Sequence, residues 1–246
     1  MRYLLISDVH GNREALEAVL DDARNNYDRI LCCGDLVGYG PEPNQIVEWA
    51  RAHVQSIIRG NHDRVCCGLD DLDWFNPIAQ DSTRWTTAHL TPANLKWLRE
   101  LPAGPLTVDG FVLAHGSPLD EDEYVTSVSD AANLFEYLES NLTFFGHTHL
   151  QGGFSWIGGK QRIIRRPFPG DSLMPLHLDP DGAYLVNPGS VGQPRDGDPR
   201  AAYAIFDSQE RDVLFHRVAY DAEAVCRKVE AAGLPPSLGA RLLFGR

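Results

Sequence analysis

Long apolar segments are missing from the sequence. No stretch comes near the roughly 18 consecutive apolar residues that a membrane-spanning helix requires. The apolar run at residues 3–6 is followed at once by Ser7 and Asp8, and it is too short for a signal peptide. We therefore expect a protein without a membrane segment and with a cytoplasmic location.

Basic charge is also scarce. Lys and Arg together number 22 against 34 Asp and Glu, which gives a formal net charge of −12. Such an acidic chain is unsuited to gripping long nucleic acid or an anionic membrane through charge. A small phosphorylated substrate is still compatible with it, because a bound metal ion reverses the local sign of the charge.

Cysteine shows neither of its usual structural spacings. Four of the five cysteines stand in the adjacent pairs Cys32-Cys33 and Cys66-Cys67, and no spaced CxxC motif occurs. This pattern excludes the disulfide framework of a small secreted domain and a thiolate zinc site, and it predicts buried thiols in a reducing compartment. Repeats, low-complexity tracts and linkers are absent too, so residues 1–246 are predicted to form a single domain.

The first third of the chain alternates short apolar runs with amphipathic stretches. Buried strands are predicted near residues 3–6, 30–33 and 56–58, and helices after Asn12 and from Pro43. This order predicts an α/β fold that starts with parallel strands. Residues 64–77 have no regular pattern, and residues 64–105 are predicted to be a helical, cap-like insertion. Beyond residue 151 the pattern changes to that of antiparallel strands.

Polar residues with metal-binding side chains follow five of the predicted strands. In chain order they are Asp8 and His10, Asp35, Asn61 with His62 and Asp63, His115, and His147 with His149. In an open α/β sheet the carboxyl ends of the strands line the ligand crevice, so we expect these side chains at one edge. Glycines beside them permit sharp turns and close backbone approach.

Each of these short motifs is typical of an ordinary turn when it occurs alone, whereas the ordered series is not. One aspartate with four histidines suffices for one metal ion, and a second aspartate with an asparagine oxygen indicates two. Mixed carboxylate and imidazole ligands suit manganese, iron, zinc or nickel. The residues alone do not divide these ligands between the metals.

The ordered series resembles the calcineurin-like metallophosphoesterase family, in particular its small bacterial and archaeal phosphodiesterase-type members. The resemblance rests on Asp8-Val9-His10, Gly34-Asp35, Gly60-Asn61-His62-Asp63, His115 and Gly146-His147-Thr148-His149, and on the loop at residues 187–192. It implies two packed mixed β-sheets flanked by helices, a four-layer α/β/β/α sandwich.

The resemblance also implies a two-metal centre, with manganese as the favoured metal. The first metal ion would be held by Asp8, His10 and His149. The second would be held by Asn61, His115 and His147, and Asp35 would bridge the two. A hydroxide shared by the metals would attack phosphorus.

His62 adjoins a metal ligand without being one. We expect it to be catalytic, either as a general acid for the leaving oxygen or as a charge that stabilises the transition state. Its neighbour Asp63 is expected to orient the imidazole and is counted with it in the catalytic site.

One position departs from part of the family. Phosphoprotein phosphatases and symmetrical dinucleoside tetraphosphatases carry Gly-Asp-x-Val-Asp-Arg-Gly after the second strand, and Tyr39 stands here in place of the phosphate-clamping arginine. The loss of a bidentate phosphate partner argues against both activities.

Other substrate contacts are less sharply defined by the sequence. Tyr39, Arg64 and Arg195 are the candidates, with a surface ion pair as the alternative for either arginine. Of Trp74, Phe75 and Trp85, at least two are expected to pack in the core and not to line a substrate wall.

Together these features predict a metal-dependent hydrolase of phosphoric esters, foremost a phosphodiesterase for a small substrate. The alternatives are a phosphomonoesterase acting on nucleotides or phosphoproteins, and a non-catalytic scaffold on the same fold. A scaffold would be expected to lose metal ligands or His62, and this chain retains them. No motif in residues 64–105 or 117–130 identifies the substrate, and none indicates an oligomeric state.

Overall fold

Twelve β-strands and eight α-helices make up the computed structural model, which describes residues 1–246. The strands are β1 (Arg2–Ile6), β2 (Arg29–Cys32), β3 (Ser56–Ile57), β4 (Leu106–Val108), β5 (Phe111–Ala114), β6 (Leu142–Phe145), β7 (Gly152–Ile157), β8 (Lys160–Ile164), β9 (Leu173–His177), β10 (Ala183–Asn187), β11 (Ala201–Asp207) and β12 (Asp212–Val218). The helices are α1 (Arg13–Asp22), α2 (Pro43–His53), α3 (Asn61–Cys66), α4 (Pro77–His89), α5 (Pro92–Arg99), α6 (Val128–Phe135), α7 (Ala222–Ala231) and α8 (Pro236–Ala240). Two 3₁₀ turns lie at Leu72–Trp74 and Arg241–Phe244.

The first sheet has the strand order β3-β2-β1-β11-β12-β9. Its strands β1, β2 and β3 are parallel and are joined by α1 and α2, as the alternation in the sequence predicts. The Asn12 side chain caps α1 by accepting a hydrogen bond from the Ala15 N–H, and Pro43 occupies the first turn of α2. The loops after β1, β2 and β3 therefore leave the sheet at the same edge.

The second sheet has the strand order β4-β5-β6-β10-β7-β8. The predicted hairpin of β4 and β5 turns at Asp109-Gly110, where φ is 46° and 93°, which suits the tight turn between twisted strands. Strand β10 pairs in parallel with β6 and antiparallel with β7, so the carboxyl-terminal part of the chain is not wholly antiparallel. Since β5, β6 and β10 run in the same direction, their following loops share an edge as well.

The two sheets pack face to face over a shared core. Buried side chains of the first sheet, such as Leu5 and Leu31, lie in one cluster with Leu113, Phe144 and Val186 of the second. Helices α1, α2 and α5 cover the outer face of the first sheet, and α6 covers the outer face of the second. The predicted four-layer α/β/β/α sandwich is confirmed.

Several elements were not predicted from the sequence, among them a 3₁₀ turn and an edge strand. Residues 64–77 are not wholly irregular, because α3 extends to Cys66 and a 3₁₀ turn occupies Leu72–Trp74. Strand β9 lies at the edge of the first sheet and contains Pro175, which an edge strand tolerates because one of its sides forms no ladder. No helix has both the length and the apolar character needed to cross a membrane.

Candidate metal centre

Five loops from the two sheets meet at one edge of the sandwich. The loops after β1, β2 and β3 carry the ligands from the first sheet, and those after β5 and β6 carry the ligands from the second. All seven predicted metal ligands are buried: Asp8, His10, Asp35, Asn61, His115, His147 and His149. The sequence prediction that these residues come together is therefore matched by the structure.

The first cluster consists of Asp8, His10, Asp35 and His149, whose potential ligand atoms all lie within 4.8 Å of one another. The Nε2 atoms of His10 and His149 are 3.2 Å apart. His149 Nε2 is 3.3 Å from an Asp8 oxygen, and His10 Nε2 is 3.5 Å from Asp35 Oδ2. Two carboxylates and two imidazoles thus face one small space.

The second cluster consists of Asp35, His115 and His147, with Asn61 beside them. The Asn61 Oδ1 atom lies 3.1 Å from both His115 Nε2 and His147 Nδ1. His115 Nε2 is also 3.4 Å from Asp35 Oδ2, the same oxygen that His10 approaches in the first cluster. A single carboxylate oxygen therefore lies between the two sets.

The hydrogen bonds of these side chains test whether a cation fits. The Nδ1 atoms of His10 and His149 each lie within hydrogen-bond distance of a backbone carbonyl, so Nδ1 is the donor in both rings. In the neutral ring, Nε2 then carries a lone pair, and the two Nε2 lone pairs face each other. Asp8 Oδ2 and His147 Nε2 are buried without a partner. The lone pairs of these nitrogen and oxygen atoms point into the site, and no hydrogen-bond donor lies between them. A metal ion, which accepts such lone pairs, fits this arrangement.

The charges in the site point the same way. Burial lowers the pKa of His10 to about 4 and that of His147 to about 3, which keeps both imidazoles neutral, as ligation requires. Burial raises the pKa of Asp8 to about 7. Although burial opposes it, attraction to Asp35 and Asp8 raises the pKa of His115 to about 10. In the absence of metal, the raised pKa keeps His115 protonated, and its positive charge compensates the negative charge of the carboxylates.

The backbone at the site is unusual. Five of the seven ligands have a left-handed backbone, with φ between 49° and 63°: Asp8, His10, Asp35, His147 and His149. Non-glycine residues rarely adopt this conformation, and it concentrates at functional sites. Gly60 permits a close approach to a ligand, because a Cβ atom there would lie 2.1 Å from Asp35 Oδ1.

His62 lies beside both clusters without belonging to either. Its ring centroid is 4.9 Å from that of His10 and 4.4 Å from that of Tyr39. Its backbone N–H donates to Asp35 Oδ1, at 2.9 Å. The ring itself hydrogen-bonds to no protein group, and its Nδ1 atom is enclosed.

The prediction that Asp63 orients the His62 ring is wrong. Asp63 Oδ1 accepts hydrogen bonds from the backbone N–H groups of Leu36 and Val37, and Oδ2 accepts one from that of Gly60. Both carboxylate oxygens are thus committed to the backbone of the loops that carry Asp35 and Asn61. Asp63 therefore stabilises the loops that carry the predicted metal ligands.

Tyr39 and Arg195 lie next to the first cluster. Tyr39 is buried, and its ring centroid is 4.8 Å from that of His10. The Arg195 guanidinium lies 5.7 Å from the centre of the Tyr39 ring and donates to Gln193 Oε1, at 3.0 Å. Arg195 forms no ion pair with any carboxylate, so its surface-pair alternative is wrong, and, beside the larger effect of burial, its positive charge acts on Asp8 and His10 by lowering the pKa of both.

Arg64 is placed differently. It forms ion pairs with Asp70, Glu121 and Asp122, and only 12% of its side chain is exposed. Attraction to these carboxylates raises the pKa of Arg64 against the opposing effect of burial. Of the two expectations for Arg64, a phosphate contact or an ion pair, the structure shows the ion pair, because its charge is already neutralised by its neighbours.

A cleft of about 310 Å³ opens beside Asn61 and His147. Trp74, Phe75 and Tyr124 are its aromatic walls. Phe75 also packs against the cluster around α7, as does Trp85, so two of the three aromatic candidates do pack in a core. Tyr124, whose ring is 4.0 Å from that of His147, was missed because the loop after β5 shows no recognisable pattern.

Comparison with known proteins identifies the family. A family model described as the calcineurin-like phosphoesterase superfamily domain matches residues 1–211. The chain belongs to this superfamily. As a member of the calcineurin-like phosphoesterases, it is a metal-dependent hydrolase of phosphoric esters, and the Asp and His clusters are where it could hold metal. The alternative of a non-catalytic scaffold is not supported.

Individual relatives agree with this assignment. An uncharacterised protein of Methanocaldococcus jannaschii is 36% identical over 253 residues, covering 98% of this chain and 97% of that protein. The crystal structure of a metallophosphoesterase from Sphaerobacter thermophilus matches all of both chains with 40% identity and a TM-score of 0.88. A symmetrical bis(5'-nucleosyl)-tetraphosphatase of Erwinia tasmaniensis is 28% identical over 57% of this chain and 53% of its own length.

Proposed function

We propose that this calcineurin-like phosphoesterase is a phosphodiesterase for a small substrate, with two divalent metal ions at its centre. The observation that carries the proposal is the single Asp35 oxygen between two separate ligand clusters, 3.5 Å from His10 Nε2 and 3.4 Å from His115 Nε2. Seven ligand-type side chains exceed what one ion needs, and a shared carboxylate suits two ions at close range.

The preference for a diester is argued from the cations that face the site. A monoester near neutral pH carries up to two negative charges, whereas a diester carries one. Apart from the metals, Arg195 is the cation next to the clusters, with Arg241 behind it on the same Gln193 Oε1 atom, whereas Arg64 is paired with carboxylates. With few cations to compensate it, the second charge of a monoester gains less here than in sites with an additional phosphate-binding arginine.

The ligand assignment follows the two clusters. Asp8, His10 and His149 would hold one metal and Asn61, His115 and His147 the other, with Asp35 common to both. When bound, the metals would supply an activated water as nucleophile and would neutralise charge on the phosphate oxygens. Manganese remains the favoured metal on the sequence prediction.

Binding of the phosphate and stabilisation of the leaving oxygen would depend on side chains of the protein. The Arg195 guanidinium, 5.7 Å from the centre of the Tyr39 ring, would bind a non-bridging phosphate oxygen. Attack of water on phosphorus breaks the bond to the leaving oxygen, which then needs a proton or a hydrogen bond. His62 would provide the hydrogen bond from its Nε2–H, because Nδ1 is enclosed by the protein and burial lowers the pKa of the ring, which keeps it neutral. The products are an alcohol and a phosphomonoester.

A matched substrate pair tests the proposal. Bis(p-nitrophenyl) phosphate and p-nitrophenyl phosphate share a leaving group and differ in charge. With the metal-loaded enzyme we expect the higher kcat/KM for the diester. A clear preference for the monoester would reject the phosphodiesterase assignment, and Asp35→Asn should abolish turnover of both if the activity belongs to this site.

A second candidate is the activity for which the Erwinia relative is named. In its favour is the 28% identity, which extends over only about half of each chain. Against it stand the missing arginine at Tyr39 and the carboxylates around the neighbouring cleft. Including diadenosine tetraphosphate in the same assay separates the two, since the second candidate requires it to be the best substrate.

A further inference from the structure

The cleft beside the metal centre contains an unpartnered aromatic ring. Trp74 is 85% exposed, and no other aromatic side chain stacks on it. An exposed indole in the lining of a cleft offers a flat apolar face on which a planar ligand can stack. Trp74 ends the 3₁₀ turn Leu72–Trp74, which lies between α3 and α4, and α3 begins with the predicted metal ligand Asn61.

The cleft is continuous with the reacting centre. Asn61 and His147, both predicted ligands of the second metal, form its inner end. Phe75 lines the cleft and also packs on His62, with ring centroids 4.5 Å apart. Tyr124 is 53% exposed and packs on His147 from the opposite loop. A group that leaves phosphorus on the His62 side would therefore enter between aromatic rings.

The charge of the cleft restricts what can enter. Its lining has three carboxylates, on Asp70, Asp71 and Asp122, and one guanidinium, on Arg64. Arg64 is paired with Asp70 and Asp122, whereas the Asp71 carboxylate is in no ion pair. Further phosphate groups would be repelled here. A neutral ring with N–H donors would be favoured, because a carboxylate accepts hydrogen bonds from amino groups.

We propose that this cleft binds the leaving arm of the substrate, and that this arm carries a planar, uncharged, nitrogen-containing aromatic ring of the nucleobase class, stacked on Trp74. The inference rests on the proposed phosphodiesterase function and specifies its substrate class. A cleft of about 310 Å³ lies within the size range of small-molecule sites and can take up one nucleoside. The three carboxylates in the lining of the cleft argue against a polyphosphate as the leaving group.

Binding without turnover provides the first test. Adenosine and ribose are titrated calorimetrically into the metal-loaded wild-type protein, Trp74→Ala and the control Trp156→Ala, which removes an exposed tryptophan on β7. We expect adenosine to bind, ribose to give no measurable binding, and Trp74→Ala to weaken adenosine by about 5- to 150-fold, as loss of one base–aromatic stack does. Trp156→Ala should bind like the wild type. Absence of adenosine binding, or equal binding by Trp74→Ala, overturns the proposal.

Product analysis provides the second test. The methyl ester of adenosine 5′-phosphate is a diester with two alkyl leaving groups of similar basicity. Hydrolysis on the aromatic side gives adenosine and methyl phosphate, and hydrolysis on the other side gives methanol and adenosine 5′-phosphate. We expect the first pair, with a kcat/KM that Trp74→Ala lowers and Trp156→Ala leaves unchanged. Predominant release of methanol overturns the proposal.

The two proposals fail in different ways. If the metal-loaded enzyme hydrolyses bis(p-nitrophenyl) phosphate but adenosine binding is independent of Trp74, the cleft assignment alone is wrong. If it hydrolyses no diester while adenosine binds in a Trp74-dependent way, the phosphodiesterase assignment is wrong and the aromatic site stands.

Discussion

His10 and His149 point their Nε2 atoms at each other across 3.2 Å, while each holds its Nδ1 against a backbone carbonyl, of Val37 and Gln193 respectively. The carbonyls fix the tautomer, so neither Nε2 can donate to the other while the rings are neutral. The arrangement is repulsive without an electrophile between the rings, and it becomes favourable when a metal ion is present.

Metal content follows directly from this arrangement. We expect two equivalents of divalent metal per chain after loading, measured by elemental analysis of the desalted protein. Asp35→Asn should weaken both sites together, because it removes the negative charge that both clusters share. Asp181→Asn, at an exposed position, is the control. A stoichiometry that stays at one equivalent would contradict the two-metal model.

For His62 we expect a loss of turnover with retention of metal. His62→Ala should bind its metals like the wild type, because the ring belongs to neither cluster, and should lose ~10²–10⁴-fold in kcat. The loss should shrink for p-nitrophenyl esters, whose leaving group needs little protonation. Metal content and turnover are measured on the same preparation, with the exposed His89→Ala as control. A metal-depleted His62→Ala protein would show that His62 is a ligand.

The close contact between Gly38 and His62 offers a subtler perturbation. A Cβ atom at Gly38 would lie 2.6 Å from His62 Nδ1, and φ is 87° at this position. Gly38→Ala should therefore displace the His62 ring and lower kcat while leaving the metal content intact. Gly158→Ala, where a Cβ meets no atom within 4 Å at φ 57°, controls for backbone strain alone. Equal activities of the two variants would show that the ring position is unimportant.

Substitution of Asp63 should lower the free energy of unfolding, because its carboxylate binds the backbone of the metal-binding loops and not the His62 ring. Asp63→Ala leaves the N–H groups of Leu36, Val37 and Gly60 without their acceptor, and each buried unpaired group costs about 1–3 kcal/mol. We expect a fall in Tm of at least about 5 °C, with a smaller fall for Asp63→Asn, which keeps one oxygen. Thermal unfolding of the metal-free proteins measures it, with Asp181→Ala as reference. An unchanged Tm with reduced kcat would instead support an orienting role toward His62.

Arg195 should act on the substrate through its charge. Arg195→Ala is expected to raise KM and lower kcat/KM for the diester by at least about 10-fold, as loss of a hydrogen bond to a charged group does. Arg195→Lys should restore part of the loss, because it keeps the charge but not the planar fork. The exposed Arg227→Ala is the control. Full activity of Arg195→Ala would remove Arg195 from the site.

The sequence predicted the parts of the molecule that local chemistry determines. Asn12, Pro43 and the Asp109-Gly110 turn act through neighbouring residues, and their effects are visible in the chain itself. The ligand series was predictable for a related reason, since parallel strands end at a common edge whatever their exact packing.

The errors concern residues whose partners are distant in the sequence. Asp63 stands next to His62, but its acceptor atoms are used by Leu36 and Val37, 27 and 26 residues away. Arg64 was open to two interpretations until Glu121 and Asp122, from the loop after β5, were found beside it. Competition among partners is decided by packing, which adjacency in the sequence does not reveal.

The cytoplasmic location stays a prediction.

The seven ligands come from both sheets, and each cluster draws on both. The first needs His149 from the loop after β6, and the second needs His115 and His147 together with Asp35 and Asn61. Neither half of the sandwich can therefore assemble a full coordination set by itself. A metal ion bound at either cluster would therefore link loops of the two sheets. Loss of metal would remove this link and leave the two sheets joined by their shared hydrophobic core.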